Sequence, residues 1–335
     1  RYWLRTPRNG INRGNVIKII ANRYNKKIAD VKKHTNFNSI TNVTRSYHLD
    51  LPISVNLSFG RFVKPMLAKE IPMREWPRKF IADYKYDGNR YQIHKEGSDI
   101  LIFNRKGKIV TEKFPDVVDV IREYKIDKCI LDGEIYPINE DGSPAEHKKM
   151  GTRVHSKNVT EAMSRVPVEW VIFDCLLWGE ETLMDLPLSQ RLERVSKLPN
   201  QATRITEGNI LQFYDEAIRK GFEGIIIKDS SLAYEPNKRS RGWAKYKPPL
   251  IELDIAIISA SYGEGKRKNV FATFEMGVKS ENGYVSIGQV GNGLADYQYN
   301  QLTLELKKNV ERYDNGKFYF LPKVVLEVKA DLVSQ

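Results

Sequence analysis

Apolar and polar positions alternate over short stretches along most of this chain, and the period of the pattern changes with position. Residues 17–24 and 29–35 carry apolar positions at helical spacing and predict two short helices, followed by a turn-rich stretch through Asp50-Leu51-Pro52. Phe62-Val63-Lys64-Pro65-Met66-Leu67-Ala68 reads as a linker entering a new domain. From about Phe80 the pattern becomes one of strands and turns. Residues 81–86, 90–94 and 100–104 alternate or run apolar, with Gly97 and Gly107 at the turns. Residues 114–124 place Val117, Val118, Val120 and Ile121 as an amphipathic helix would. Strands are predicted again at 129–136 and 170–178, helices at 188–195 and 209–220, and Gly221 is placed to end the second helix. A strand over 224–228 precedes a polar segment, 232–242, that holds Lys238, Arg239 and Arg241. After Pro248-Pro249 the chain is mainly β, with strands at 254–262, 271–279, 284–290 and 324–329 and glycines between them, the pattern of a small barrel.

A chain of 335 residues exceeds the ~100–200 of one domain, and 41% hydrophobic residues supply material for packed cores. The pattern divides it at about residues 60 and 248. No apolar run reaches the ~18 residues of a membrane helix, and the longest candidates, 225–227 and 171–178, are strand-sized. The first residues, Arg1-Tyr2-Trp3-Leu4-Arg5, contain neither an initiator Met nor a signal-peptide core, which suggests a piece that begins inside a longer protein. The formal charge of +12, from 54 basic and 42 acidic residues, favours a polyanionic partner such as nucleic acid. Cys129 and Cys175 both lie in apolar strand-like runs and read as buried hydrophobes. Two cysteines cannot build a four-cysteine zinc module, and they suit a reducing, intracellular compartment. His34, His48, His94, His147 and His155 show no metal-ligand spacing and read as structural or solvated, except that His155 beside Lys157 can touch phosphate.

Five short motifs follow one another in order. Lys85-Tyr86-Asp87-Gly88-Asn89-Arg90 ends a predicted strand, and Leu131-Asp132-Gly133-Glu134 ends another. Phe173-Asp174 sits in a third, Glu223-Gly224-Ile225-Ile226-Ile227-Lys228 forms a fourth, and Trp243-Ala244-Lys245-Tyr246-Lys247 comes last. Each of them alone is a weak signal, the first reading equally well as a charged turn at a strand end. Their assembly in this order resembles the covalent nucleotidyltransferases: DNA ligases, RNA ligases and messenger-RNA capping enzymes. The resemblance runs from about Lys64 to the C-terminus. Arg153-Val154-His155-Ser156-Lys157, then Val166-Pro167-Val168 and Phe173-Asp174-Cys175-Leu176-Leu177, are similar to replicative ATP-dependent DNA ligases of the archaeal and eukaryotic type.

That resemblance implies a multidomain α+β protein. Residues 1–60 would be the tail of a helical DNA-binding domain. Residues 61–248 would be an adenylation domain of antiparallel sheets with helices, and residues 249–335 an OB-fold barrel. The implied activity is nick sealing in replication and repair. AMP passes from ATP to Lys85, then to the 5′-phosphate of the nick, and the 3′-hydroxyl displaces it. The chemistry asks for the residues present. An ordinary lysine is neutral in only about one molecule in two thousand at pH 7. Cations near a lysine favour its neutral form, and Lys228, Lys245, Lys247 and a bound metal are the candidates. The same cations would neutralise phosphate charge. Glu134 and Glu223, at or beside strand ends, are the expected Mg2+ ligands. Asp87 would orient Lys85 or join the metal shell, and Asp132 would hold the turn at Gly133 through backbone amides.

An aromatic in an apolar strand is normally core. The resemblance instead assigns Phe173 to stacking on adenine, and Arg90 and Arg105 to the nucleotide sugar or the terminal phosphate of the nick. Two residues depart from the family pattern: Asn104 stands where Ser is usual, and Ala244 where a bulkier apolar residue is common. Arg153, His155, Lys157, Lys266, Arg267 and Lys268 are the expected contacts to DNA phosphates, which supply most sequence-independent affinity. Gly288-Gln289-Val290-Gly291-Asn292-Gly293 lies in the same barrel. The chain stops at Leu332-Val333-Ser334-Gln335, just before a final Arg-rich family motif. A chain without that motif is expected to self-adenylate poorly, yet to seal a nick if supplied already charged. ATP and Mg2+ are the implied cofactors, with nicked duplex DNA the implied partner of a monomer and a sliding clamp a further one through parts outside this chain. An NAD-dependent ligase is disfavoured by the missing zinc module. An RNA ligase or capping guanylyltransferase is the alternative within the superfamily. A basic clamp that binds nicks without turnover is the alternative outside it, and the intact set of Lys85, Glu134, Glu223, Lys245 and Lys247 speaks against that.

Overall fold

A computed structural model describes residues 13–249, 251–281 and 283–330, so Arg1–Arg5 and Leu332–Gln335 lie outside the described residues. The chain forms two compact units, 1–247 and 248–335.

Among the described residues, the first unit begins with three helices, α1 (Arg13–Arg23), α2 (Ile28–Phe37) and α3 (Ile40–His48). The first two match the predicted pair. The third replaces the expected turn-rich stretch, and its start is signalled by Ser39, whose side chain accepts from the Asn42 amide. The stretch after it is no loose linker. Val63 and Met66 are fully buried, and Gln92 both accepts from the Val63 amide (2.9 Å) and donates to its carbonyl (3.1 Å).

Ten strands then build two antiparallel-dominated sheets. They are β1 (Leu67–Lys69), β2 (Phe80–Lys85), β3 (Asn89–Glu96), β4 (Asp99–Asn104), β5 (Lys128–Pro137), β6 (Val168–Trp178), β7 (Glu181–Thr182), β8 (Arg204–Ile205), β9 (Gly224–Asp229) and β10 (Arg239–Tyr246). One sheet has the order β1-β10-β9-β2-β8, the other β4-β3-β5-β6-β7. Five helices complete the unit: α4 (Pro115–Arg122), α5 (Lys149–His155), α6 (Val159–Arg165), α7 (Leu188–Val195) and α8 (Ile210–Arg219). Local chemistry sets their ends. Pro115 supplies a preset φ to the first turn of α4, and the Asn209 side chain accepts from the Leu211 and Gln212 amides at the start of α8. Their apolar faces cover the sheets. Val117, Val118 and Ile121 of α4 join Leu188, Leu192 and Val195 of α7 in a core on the β5 and β6 sheet, while Phe213 and Ala217 of α8 pack against Tyr84, Ile225 and Ile227. Cys129 and Cys175 are both free and buried, as their apolar runs predict.

The second unit contains β11 (Ile251–Tyr262), β12 (Phe271–Ser280), β13 (Gly283–Val290), α9 (Asp296–Lys307), β14 (Val310–Asp314), β15 (Lys317–Phe320) and β16 (Val325–Ala330). The long β11 pairs with β16 along its first half, with β15 along its second, and with β12 on its other edge. Two elements here differ from the expected run of strands. Helix α9 buries Tyr299, Thr303 and Leu306, a spacing of four and then three that fits a helix, but aromatic and β-branched residues disguise it. The β14–β15 hairpin turns at Asn315 and Gly316, both with positive φ.

Candidate active site

A cleft of about 790 Å³ opens between the two sheets of the first unit, and the ordered motifs converge on it. Lys85 ends β2 and Glu223 immediately precedes β9, the strand hydrogen-bonded to β2. The Glu223 amide donates to the Lys85 carbonyl at 3.0 Å, and their side chains form an ion pair. Glu134 reaches the same cleft from β5. Burial pushes its carboxyl up to about 8, against the opposing pull of Arg90 and Lys85. Asp87 is half-buried and also raised, first by desolvation and then by the Glu223 charge. The turn between Lys85 and Arg90 lies hard against β5, because a Cβ on Gly88 would stand 2.3 Å from the Ile135 carbonyl oxygen. This close approach brings Lys85 and Glu134 into one site.

Aromatic and cationic side chains line the same cleft. Phe173 projects from β6 and meets Trp243 of β10 edge to face, with ring centroids 6.4 Å apart. The Arg90 guanidinium lies 5.0 Å from the Phe173 centroid. Its Nε donates to Asp132 Oδ1 (2.8 Å), its Nη1 to the Met66 carbonyl (2.5 Å), and its Nη2 to Asp132 Oδ2 and to the Tyr234 hydroxyl (3.2 Å). Asp132 therefore binds a side-chain network rather than the backbone of a turn, which corrects the expectation for it, since β5 runs unbroken through Gly133. Tyr234 donates to Asp132 at 2.7 Å, and burial followed by the Asp132 charge raises its phenol far above the ordinary value.

Lys228 lines the cleft, but its ammonium is directed into Asp83 (2.6 Å) and the Phe173 carbonyl (3.1 Å), with Arg204 on the other oxygen of Asp83 at 3.0 Å. Burial lowers its proton affinity, and Asp83 opposes that. Lys245 lines the cleft and faces Glu70 at 3.4 Å. Lys247 follows β10 and is not among the lining residues. Arg105 and His155 stand exposed on the rim, and Lys157 is exposed just beyond. Asn104 accounts for its own departure from the family pattern, because its side-chain oxygen accepts from the Lys106 and Lys108 amides (both 3.0 Å) and fixes the turn that carries Arg105.

Arg153 does not face solvent. Its side chain is fully buried, ion-paired with Asp116 and packed 5.5 Å from the Phe114 centroid, so it ties α5 to α4, and the expectation that it touches DNA is corrected. In the second unit Lys266 and Lys268 are exposed, while Arg267 lies 4.0 Å over the Tyr299 ring. Sequence reasoning misses Asp83, Tyr234, Lys106 and Arg239 as cleft or network residues. Asp83 is the most findable of them, as an acid on the buried phase of a strand two residues before Lys85.

The residues fit the groups that the motifs imply. The cleft volume is within the ~300–1,000 Å³ of ligand sites. Phe173 and Trp243 line the cleft together with cations. Glu134 and Glu223 offer the few carboxylate oxygens with which Mg2+ is content. Among the described residues no cluster of three or more His, Cys, Asp or Glu side chains forms a closed metal cage.

The ATP dependent DNA ligase domain matches residues 65–247, the segment that holds all five motifs. A DNA ligase of Haloarcula marismortui is 33% identical over 82% of this chain and 52% of its own length. A DNA ligase of Thermococcus fumicolans is 29% identical over 98% of this chain and 63% of its own. The chain thus spans between half and two thirds of these curated relatives. Among solved structures, a mycobacterial DNA ligase D complexed with ATP and MES shares the fold, with a TM-score of 0.51, 20% identity, and coverage of 82% of this chain and 90% of that one.

Proposed function

The chain belongs to the ATP-dependent DNA ligase family, and from that premise we propose that it is the catalytic portion of an enzyme that seals nicks in duplex DNA at the expense of ATP. One observation carries the reading: Lys85, Glu223 and Glu134 converge in a single cleft that Phe173, Trp243 and Arg90 also line. Lys85 Nζ bonds to the α-phosphorus of ATP as the bond to pyrophosphate breaks, and Glu223, its partner in the ion pair, is placed to take up the proton released. Phe173 stacks on the base, and Arg105 and Lys245 meet phosphate oxygens. Mg2+ held by Glu134 and Glu223 would neutralise charge on those oxygens. AMP then passes to the 5′-phosphate of the nick, and the 3′-hydroxyl displaces it.

In this reading residues 61–248 are the adenylation domain. Residues 1–60 are the tail of a helical DNA-binding domain, a view supported by exposed Lys18, Arg23, Lys32 and Lys33 on the described helices and by exposed Lys26 and Lys27 between them. Residues 249–335 form an OB-fold barrel, supported by the way β11 shares its edges among β12, β15 and β16. His155, Lys157, Lys266 and Lys268 meet DNA phosphates.

The test is intact mass before and after ATP with Mg2+, in a chain extended to the full length of the relatives. A gain of one AMP that pyrophosphate reverses and Lys85→Ala abolishes is expected. No gain in that chain would sink the reading. Sealing of nicked RNA but not nicked DNA would move it to the RNA-joining branch.

A further inference from the structure

Arg90 sits in the cleft with a flat charged group that could in principle swing between several ligands, yet its hydrogen bonds leave it little freedom. A guanidinium has five N–H donors. Four are taken: Nε by Asp132, one on Nη1 by the Met66 carbonyl, and both on Nη2 by Asp132 and Tyr234. The face of the group is covered by Phe173 at 5.0 Å and Trp243 at 5.8 Å. The Tyr234 hydroxyl is equally committed. It donates to Asp132, and accepts from the Met66 amide at 3.1 Å and from Arg90 at 3.2 Å, which uses its donor and both lone pairs. Tyr234 is 3% exposed, though it belongs to a segment that reads as a polar loop. Its ring is held by Trp243, with centroids 6.5 Å apart, and by Arg191, 5.8 Å away.

We propose that Tyr234, acting with Asp132, is a positioning residue: it fixes Arg90 as part of the cleft wall against Phe173 and leaves one guanidinium N–H for the bound nucleotide. Asp132 balances the Arg90 charge, so Arg90 acts as an aimed donor rather than as a free cation drawn to whichever phosphate is nearest. The identity of the ligand rests on the proposed function. The network itself does not, and it can be read in the protein without nucleotide.

The test uses Tyr234→Phe, which removes the hydroxyl and keeps the ring contacts, with Asp132→Asn as a second variant should the first melt early. Hydrogen exchange at Arg90 Nε, followed by nitrogen-edited NMR without ligand, is expected to speed up at least about tenfold in Tyr234→Phe, the loss of one hydrogen bond to a charged group. In Lys85–AMP formation the same change is expected to raise KM for ATP about tenfold and leave kcat within about twofold. In an Arg90→Ala background Tyr234→Phe should add little, because its effect passes through Arg90. Unchanged exchange overturns the proposal, and so does a KM effect of equal size with and without Arg90. Faster exchange in a protein that never forms the adduct would uphold the network and overturn the proposed function instead.

Discussion

Lys85 and Glu223 are joined twice, by the Glu223 amide on the Lys85 carbonyl at 3.0 Å and by an ion pair between their side chains. The backbone bond fixes the distance between the two strands, so the side-chain pair is a consequence of the sheet. A lysine held in an ion pair carries the proton that a nucleophile must lose, so the pair has to open or pass on that proton during reaction. Lys85→Arg should separate structure from chemistry. The guanidinium can keep the pair with Glu223 but does not attack phosphorus. The expected outcome is no AMP gain by intact mass and a melting temperature within about 2 °C of the parent, since a partly exposed pair contributes about 1 kcal/mol or less. An adduct in Lys85→Arg would mean that another residue is the nucleophile.

Gly224, between Glu223 and the body of β9, has φ of +144°, and a Cβ there would lie 2.2 Å from the Tyr246 carbonyl oxygen and 3.0 Å from Lys247 Cα. Both atoms are backbone, so nothing can swing aside. Gly224→Ala should therefore push β9 from β10 and displace Glu223 with it. A loss of about 2–4 kcal/mol in urea unfolding is expected, together with loss of adduct formation. A normally stable Gly224→Ala protein would show that β9 can move off β10 at little cost.

Much of this site is legible in the sequence. Lys85, Glu134, Phe173, Glu223 and Lys245 all line the cleft, Lys85 at the end of β2, Glu223 just before β9 and the others within strands, where short runs of motif are readable one at a time. Partnerships across the chain are harder to read. Asp132 and Tyr234 are 102 positions apart, and Asp83 and Lys228 are 145 apart. A local pattern carries no trace of such pairs, which is why Asp132 reads as a turn residue and the segment of Tyr234 as a polar loop. Arg153 misleads for a related reason. A cation in a basic stretch reads as exposed, and only packing against Phe114 and Asp116 shows that it is not. Helix α9 and the buried Val63 and Met66 are hidden by composition, since short amphipathic signals are weak where Tyr, Thr or Pro interrupt them.

His94 makes a pH prediction that has nothing to do with the cleft. It is completely buried beside Phe59 and Phe103, with Nε2 3.0 Å from the Gln92 side-chain oxygen, and burial lowers its pKa to about 3. A histidine whose folded value lies below its unfolded value of about 6.5 stabilises the fold above pH 6.5. That contribution is lost as pH falls from about 6.5 toward 3. Between pH 7 and pH 5 the loss amounts to about 2 kcal/mol. Because Gln92 also holds Val63, the first unit should be the part that loosens. In His94→Gln the difference in unfolding free energy between pH 7 and pH 5, from urea titration, should shrink by most of that amount. An undiminished difference would place the acid sensitivity elsewhere.

Arg153 and Lys266 both read in the sequence as contacts to DNA, and the structure separates them. Lys266 is exposed in the turn before β12, where it can neutralise a phosphate and release its counterion. Lys266→Ala should weaken binding to nicked duplex across all sequences and lower the slope of log affinity against log salt by about one. Arg153→Ala should leave that slope unchanged while costing about 3 kcal/mol of stability, because it strips Asp116 of its partner and opens a void beside Phe114. Salt titrations of both variants, each checked by urea unfolding, decide the matter. A flattened slope in a stable Arg153→Ala protein would return that arginine to the DNA surface. An unchanged slope in Lys266→Ala would remove the second unit's basic turn from it.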